Sequence, residues 1–335
     1  MFLPMSTLKE KFIQLFGYTA NFASAVRDFP YCLIFKTTNY CWYKCPHCCE
    51  NSGPHNKKTY ISDETICNYL TQAINDPKFD RNVVFTGGEI FSAYRFYDTQ
   101  YVPNLLKFSL HNGVGTDIKT NAAWSTTSFG RDIFKDLKRI IIDAPKTPHG
   151  LPKLQISLSV DKFHTNCFEK NIKLIKELAG LPVIINLSSF QDQKDIMKEF
   201  EKQLFRYVKT EEAFLMSETN TVKPVTLIGK HTILLKPSFA VLFDGGRAQN
   251  MPEARKNDFP QFTFFYPDNA HILTAFDSFG RVTLGENSGH KIGTPWVDNN
   301  QNPKTLKQIH SELVRNTRKE DLYHNCYERF FRPLR

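Results

Sequence analysis

From Tyr31 to Val208 the chain alternates short apolar runs of strand length with longer amphipathic runs of helix length. Residues 31–37 (YCLIFKT) have β character. Ser62 is placed to cap a helix running to about Ile74. Residues 82–86 (NVVFT) read as a buried strand closed by Gly87-Gly88. Residues 104–111 are helical in pattern, 115–120 (GTDIKT) a strand, and 130–138 a helix. Residues 139–143 (RIIID) and 155–161 (QISLSVD) both read as strands. An amphipathic helix over 166–179 follows, then a strand at 182–188 (PVIINLS) and a helix from about Gln193 to Val208. Strands alternating with helices predict a parallel sheet with crossover helices. Five or six such units predict an α/β fold, a partial (β/α)6 TIM-like barrel, since eight full units do not fit.

The pattern changes near Lys209. Residues 211–238 are β-rich (PVTLIG, HTILLK), and 243–250 (FDGGRAQN) is a glycine turn carrying an arginine. Residues 272–284 read as a hairpin turning at 277–280, and 304–317 as a helix. The expected organisation is an N-terminal helical segment (1–30), a barrel (31–250) and a small α+β extension (251–335). No apolar run approaches the ~20 residues that span a bilayer. Residues 1–22 are amphipathic and broken by Lys9, Glu10 and Lys11, unlike a signal peptide. A cytoplasmic protein without a membrane partner is expected. The net charge of +9 comes from 43 basic and 34 acidic residues. The basic ones are scattered, and their densest spots lack interleaved aromatics, so a solvated surface is favoured over a nucleic-acid groove.

Four of the eight cysteines fall within nine residues: Cys41, Cys45, Cys48 and Cys49. In a cytoplasmic enzyme such clustering points to metal rather than disulfides. Three thiolates on one loop can hold three irons of a cubane. A [4Fe–4S] cluster normally takes four cysteines, so one iron stays open to an exogenous ligand. The rival is a structural zinc site completed by Cys49, His47 or His55. A second motif, Phe85-Thr-Gly87-Gly88-Glu89, ends the strand after the cysteine loop and its helix. Its glycines permit close backbone approach, and its carboxylate can accept from an ammonium. Alone it would be an ordinary turn; its position ties it to the cysteines.

Together, Cys41-x3-Cys45-x2-Cys48 and Gly87-Gly88-Glu89 resemble the radical SAM superfamily over roughly residues 31–250. The resemblance implies one [4Fe–4S] cluster on Cys41, Cys45 and Cys48, with S-adenosylmethionine on its open iron. Gly87, Gly88 and Glu89 would hold the amino group of that cofactor. Its cleavage would give a 5′-deoxyadenosyl radical that abstracts a substrate hydrogen atom. His47 stands where the family usually has an aromatic residue and can stack on adenine; Tyr43 joins it within the motif. Thr120 and Asn121 end the next strand, where the family often places a pair beside the ribose. Ser157, Ser159 and Asp161, then Asn186 and Ser188, stand where polar cofactor contacts are common. Gly246-Arg247-Ala248 is a recurrent family segment that adds Arg247.

The residues Asp277, Gly280, Val282 and Gly293 with the last helix resemble the layout of SPASM-type extensions. Leu284-Gly285 stands where such an extension would carry a cysteine, so a cluster-free version is expected. The resemblance implies a ribosomally made peptide as substrate and an external electron donor of flavodoxin or ferredoxin type. The outcome would be epimerisation, crosslinking or another C–H functionalisation. A nucleotide or small metabolite, or a tRNA or glycyl-radical protein, are other substrates. A non-catalytic zinc module is the reading of a different class, and it leaves Gly87-Gly88-Glu89 unexplained. If a thiol returns a hydrogen atom, the candidates are Cys326, then Cys167, Cys49 and Cys32.

Overall fold

A computed structural model describes residues 30–145, 153–190, 192–208, 222–227, 229, 231–240, 246–251, 265–266, 271–278, 280–284, 293–298 and 302–316. The expected helical segment at 1–30 lies outside these residues save Pro30, and so does Cys326. Strand β1 (Tyr31–Thr38) is followed by helix α1 (Asp63–Ile74), and β2 (Phe79–Gly87) by α2 (Ala93–Phe96) and α3 (Tyr101–His111). Strand β3 (Gly115–Thr120) leads to α4 (Gly130–Asp143), β4 (Leu154–Ser159) to α5 (Phe168–Leu178), and β5 (Ile184–Phe190) to α6 (Lys194–Phe205). The hairpin β6 (Lys223–Thr226) and β7 (Thr232–Ala240) follows. Strand β8 (Phe265–Tyr266) precedes β9 (His271–Asp277), β10 (Arg281–Leu284), β11 (Gly293–Pro295) and α7 (Leu306–Asn316).

One sheet takes the order β11-β10-β9-β1-β2-β3-β4-β5-β7-β6, with β8 beside β9. Strands β1 to β5 and β7 are parallel neighbours in chain order. Each crossover therefore steps one place in the same direction, which brings the loops after successive strands to one edge of the sheet. The structure is mixed α/β with a largely parallel sheet.

The pleat sorts residues by polarity. Phe35, Phe85, Ile118, Ile156, Leu158, Ile185, Leu187 and Leu235 are buried in one apolar core with the helices. On the opposite face, Lys119, Ser157, Asn186 and Lys236 stand in a single cross-strand row. Ser157 donates to Asp117 at 2.7 Å, Asn186 donates to both Ser157 and Ser188 at 3.0 Å, and Ser188 meets Ser238 at 3.1 Å. All eight residues of β1 are buried, as befits a strand with neighbours on both sides.

Ser62 caps α1, accepting from the Thr65 N–H at 3.2 Å. The run 139–143, expected as a strand, is instead the last part of α4. Ile133, Phe134, Leu137, Ile140 and Ile141 are buried at helical spacing, while Ile142 is 65% exposed. A strand would have buried alternate residues; the 3.6-residue period outweighs the β propensity of three isoleucines. Ile141→Ala is expected to cost about 2–5 kcal/mol by cavity formation. Ile142→Ala should stay within about 0.5 kcal/mol. Urea melts of the two variants check this, and equal costs would contradict the helix.

The hairpin expected at 272–284 is present as β9 and β10, with Gly280 at φ +87° in its turn. Its first strand lies parallel to β1, pairing Tyr31 with Ile272 through to Lys36 with Asp277. Helix α7 is tied to α1: Gln72 accepts from the Leu306 N–H at 2.7 Å. The Tyr69 hydroxyl lies 3.1 Å from the Trp296 carbonyl and 3.0 Å from that of Lys304. No described helix is long and apolar enough to cross a membrane.

Candidate functional site

The loop leaving β1 carries the three motif cysteines, and its ends are drawn together by backbone bonds. The Cys41 N–H donates to the Gly53 carbonyl and the Gly53 N–H to that of Asn39, both at 3.3 Å. Ser52 donates to Asn39 Oδ1 at 2.8 Å. Arg247 reaches across from the far end of the sheet. Its Nε donates to the Cys45 carbonyl at 2.9 Å, its Nη2 to that of Ser52 at 2.6 Å, and its backbone N–H to that of Cys48 at 3.0 Å. Arg247, expected at the cofactor, thus sits on the backbone of the cysteine loop. No disulfide joins any of the seven described cysteines.

The end of β2 docks under this loop. The Gly88 N–H donates to the Thr38 carbonyl at 2.6 Å, and the Glu89 N–H to that of Tyr40 at 2.8 Å. Gly87 has φ +111°, and a Cβ on Gly88 would collide with the Tyr40 carbonyl. The close approach that these glycines allow is between two stretches of this chain.

Glu89 is fully buried. The Thr120 hydroxyl lies 2.9 Å from both carboxylate oxygens. The N–H groups of Asn121 and Phe91 donate at 3.1 and 3.3 Å. Burial drives the carboxyl up to about 7, although these hydrogen bonds pull it down. Between about 4.5 and about 7 Glu89 therefore holds a proton in the folded chain that it lacks in the unfolded one. The Glu89 contribution to the stability of the metal-free chain should fall by roughly 3 kcal/mol as pH rises through that window, while the His47 and His310 rings, lowered by burial, act in the opposite sense. Glu89→Gln removes this contribution alone, so the wild-type-minus-variant stability, from urea unfolding at pH 5 and pH 8, should fall between the two pH values. A cation against Glu89 would reverse the preference and favour the carboxylate.

Asn121 follows β3 and turns its amide to the first cysteine, donating from Nδ2 to Cys41 Sγ at 3.4 Å. Cys41 is 8% exposed, and burial pushes its thiol well above the usual range. Thr120 also accepts from the Trp124 indole N–H at 3.1 Å, which fixes the turn.

The loop after β4 supplies Asp161 and His164. His164 Nδ1 lies 2.9 and 3.0 Å from the Asp161 carboxylate oxygens, and its Nε2 lies 3.1 Å from Cys45 Sγ. Burial alone would lower the His164 ring, but Asp161 and Cys45 outweigh it and hold it protonated. His47 stacks on Phe163, centroids 4.3 Å apart, and meets Phe190 edge-on. Burial brings His47 down to about 4, so it is neutral at pH 7. Its Nδ1 is buried without a partner among the described residues, as is Asn186 Oδ1. The Tyr43 hydroxyl accepts from Lys170 at 2.7 Å.

The structure thus gathers Cys41, Cys45, Cys48, Tyr43, His47, Gly87, Gly88, Glu89, Thr120, Asn121, Asp161 and Arg247 around one edge of the sheet. Ser157, Asn186 and Ser188 lie on the polar face below. Ser159 pairs in register with Ser188 and its carbonyl accepts from Asn171 at 2.9 Å. Among the candidate thiols, Cys167 is buried at the start of α5 and Cys32 in the core at the base of β1. Sequence reasoning missed His164; the only available signal was its three-residue spacing from Asp161.

This donor set fits a thiolate-bound cluster: three thiols share one loop, and N–H donors face the sulfurs of Cys41 and Cys45. The buried orphan atoms on His47 and Asn186 offer acceptor capacity to a ligand. Ligand atoms of His47, Asp161 and His164 also lie within 4.8 Å of one another, close enough to meet on one metal ion.

No family model and no curated protein matches the chain. In fold it is similar to Streptococcus suis SuiB bound to S-adenosylmethionine, at 14% identity and TM-score 0.42, covering 88% of this chain and 67% of that one. SuiB bound to precursor peptide SuiA is matched at 14% identity and TM-score 0.38, over 78% of this chain and 63% of that chain. A third similar structure is native anSMEcpe with bound AdoMet and Kp18Cys peptide, at 12% identity and TM-score 0.44, over 90% of this chain and 84% of the other.

Proposed function

We propose that the chain is a radical SAM enzyme with one [4Fe–4S] cluster on Cys41, Cys45 and Cys48, acting on a ribosomally made peptide. The observation that carries this reading is the convergence of the two motifs. Backbone bonds from Gly88 and Glu89 to Thr38 and Tyr40 set Glu89 beneath the cysteine loop, and Asn121 links it to Cys41. When bound, the cluster supplies the electron that cleaves S-adenosylmethionine and so generates the hydrogen-abstracting deoxyadenosyl radical. Glu89, ringed by donors, offers a carboxylate to the cofactor ammonium. His47, neutral and stacked on Phe163, offers a flat face to adenine. Asn186 and Ser188 offer polar contacts to the ribose, and the partial-barrel reading places them in its lumen. Single-direction winding of β1 to β5 and β7 supports that reading.

The peptide substrate rests on the 277–293 resemblance, with an extension that carries no cysteine between Leu284 and Asn316. A flavodoxin or ferredoxin would supply electrons in a cytoplasmic setting. The substrate ends redox-neutral if a thiol returns the hydrogen atom, as in an epimerase, and the thiyl radical left on that cysteine takes an electron from the same donor and a proton from water.

Anaerobically reconstituted protein with a strong reductant is expected to convert S-adenosylmethionine to 5′-deoxyadenosine. Glu89→Gln keeps the shape of the side chain but removes the charge, and it turns an amide NH2 toward one of the two backbone N–H groups that the carboxylate oxygens accept from. It should weaken cofactor binding by about ten- to a hundredfold, since a charge-assisted hydrogen bond is worth roughly 1.5–3 kcal/mol. Formation of S-adenosylhomocysteine alone, without deoxyadenosine, would replace this reading with polar methyl transfer.

A further inference from the structure

We propose that His164 is a positioning residue for the cluster: backed by Asp161, it donates a hydrogen bond to the Cys45 sulfur and draws charge from that ligand. The inference rests on the cluster reading given above. Its basis is a relay of three side chains from two separate loops. Asp161 is 3% exposed and His164 is 6% exposed. The Asp161 carboxylate can only accept, so His164 Nδ1 carries a hydrogen. A metal-bound thiolate has no hydrogen to give, so at the 3.1 Å contact the His164 Nε2–H is the donor.

The relay is held rigidly. Asp161 Oδ1 accepts from the Phe163 N–H at 2.9 Å, and its carbonyl accepts from the His164 N–H at 3.0 Å. Gln193 accepts from the Lys162 N–H at 2.8 Å, and the Val160 N–H donates to Ser188 at 2.7 Å. On the other side, Arg247 grips the Cys45 carbonyl. Cys45 is therefore fixed twice, by its backbone and by its sulfur. Donors to cluster sulfurs stabilise the more negative, reduced state and raise the reduction potential. His164 would thus make the cluster easier to reduce.

The test uses the full chain, reconstituted, with the potential followed by EPR and no S-adenosylmethionine added. His164→Phe should keep the wild-type iron content. Its midpoint should fall by about 59 mV, a tenfold loss in the ratio of reduced to oxidised cluster at fixed poise. His164→Gln, which keeps an N–H near the Nε2 position, should recover most of the shift. An iron-replete His164→Phe variant with an unchanged midpoint would overturn the proposal. If neither variant retains iron, alkylation of the metal-free chain decides, with Cys48 as internal reference. A tenfold slower reaction at Cys45 in His164→Phe supports the contact, and equal rates overturn it. Wild-type protein that takes up no iron would instead end the cluster reading, while the alkylation comparison still judges His164.

Discussion

Replacing Cys41, Cys45 and Cys48 together by alanine is expected to take bound iron from about four atoms per chain to none. Deoxyadenosine formation should vanish with it. The fold should survive, because the loop is closed by bonds that need no thiol. Asn39 and Gly53 join its ends through the backbone, and Arg247 holds the carbonyls of Cys45, Cys48 and Ser52. Iron and sulfide analysis, read beside circular dichroism, separates loss of metal from loss of structure. Wild-type protein that keeps one zinc and no iron would replace the cluster with the mononuclear alternative, for which His47, Asp161 and His164 stand close by.

The second large effect is expected at Gly88. A methyl group there would run into the Tyr40 carbonyl and crowd the backbone of Asn39. Neither obstacle is a side chain that can rotate away, so β1 and β2 would have to part where the cysteine loop begins. Gly88→Ala should cost about 3 kcal/mol or more in denaturant melts, at the upper end of overpacking penalties. It should also impair iron uptake. Gly53→Ala is the control, since an added Cβ there meets nothing nearer than 3.9 Å. Its cost should stay below about 1 kcal/mol. Similar costs at the two positions would contradict the docking of β2 beneath the loop.

The alternation that reveals the parallel sheet is legible in sequence because each strand pairs with its predecessor, so local patterns and spatial neighbours coincide. The two motifs are legible because their chemistry is compact: three thiols, two glycines and one carboxylate. Residues 139–143 mislead because β propensity is read over five residues, whereas the helical period declares itself only from Ile133 onward. Arg247 was found by its segment, yet its contacts with the cysteine loop depend on the sheet bringing residue 247 back to residue 45. His164 escaped for the same reason. A histidine three residues after an aspartate is common, and its partner Cys45 lies 119 positions away. The pairing of β9 with β1 left no local trace at all.

That pairing bears on how the chain is made. The strand that carries the cysteine loop gains its first neighbour at β2, but its other edge stays open until residue 277 has left the ribosome. At roughly 5–20 residues per second, that wait lasts on the order of ten to fifty seconds. Meanwhile a strand whose first five residues, Tyr31 to Phe35, are destined for the core presents an unpaired row of backbone groups to other nascent chains. Three thiols hang from its end, open to oxidation and to stray metal. Late closure of this kind favours slow folding. Yield of iron-competent protein should therefore depend on synthesis rate and on chaperones more than on the stability of the finished sheet.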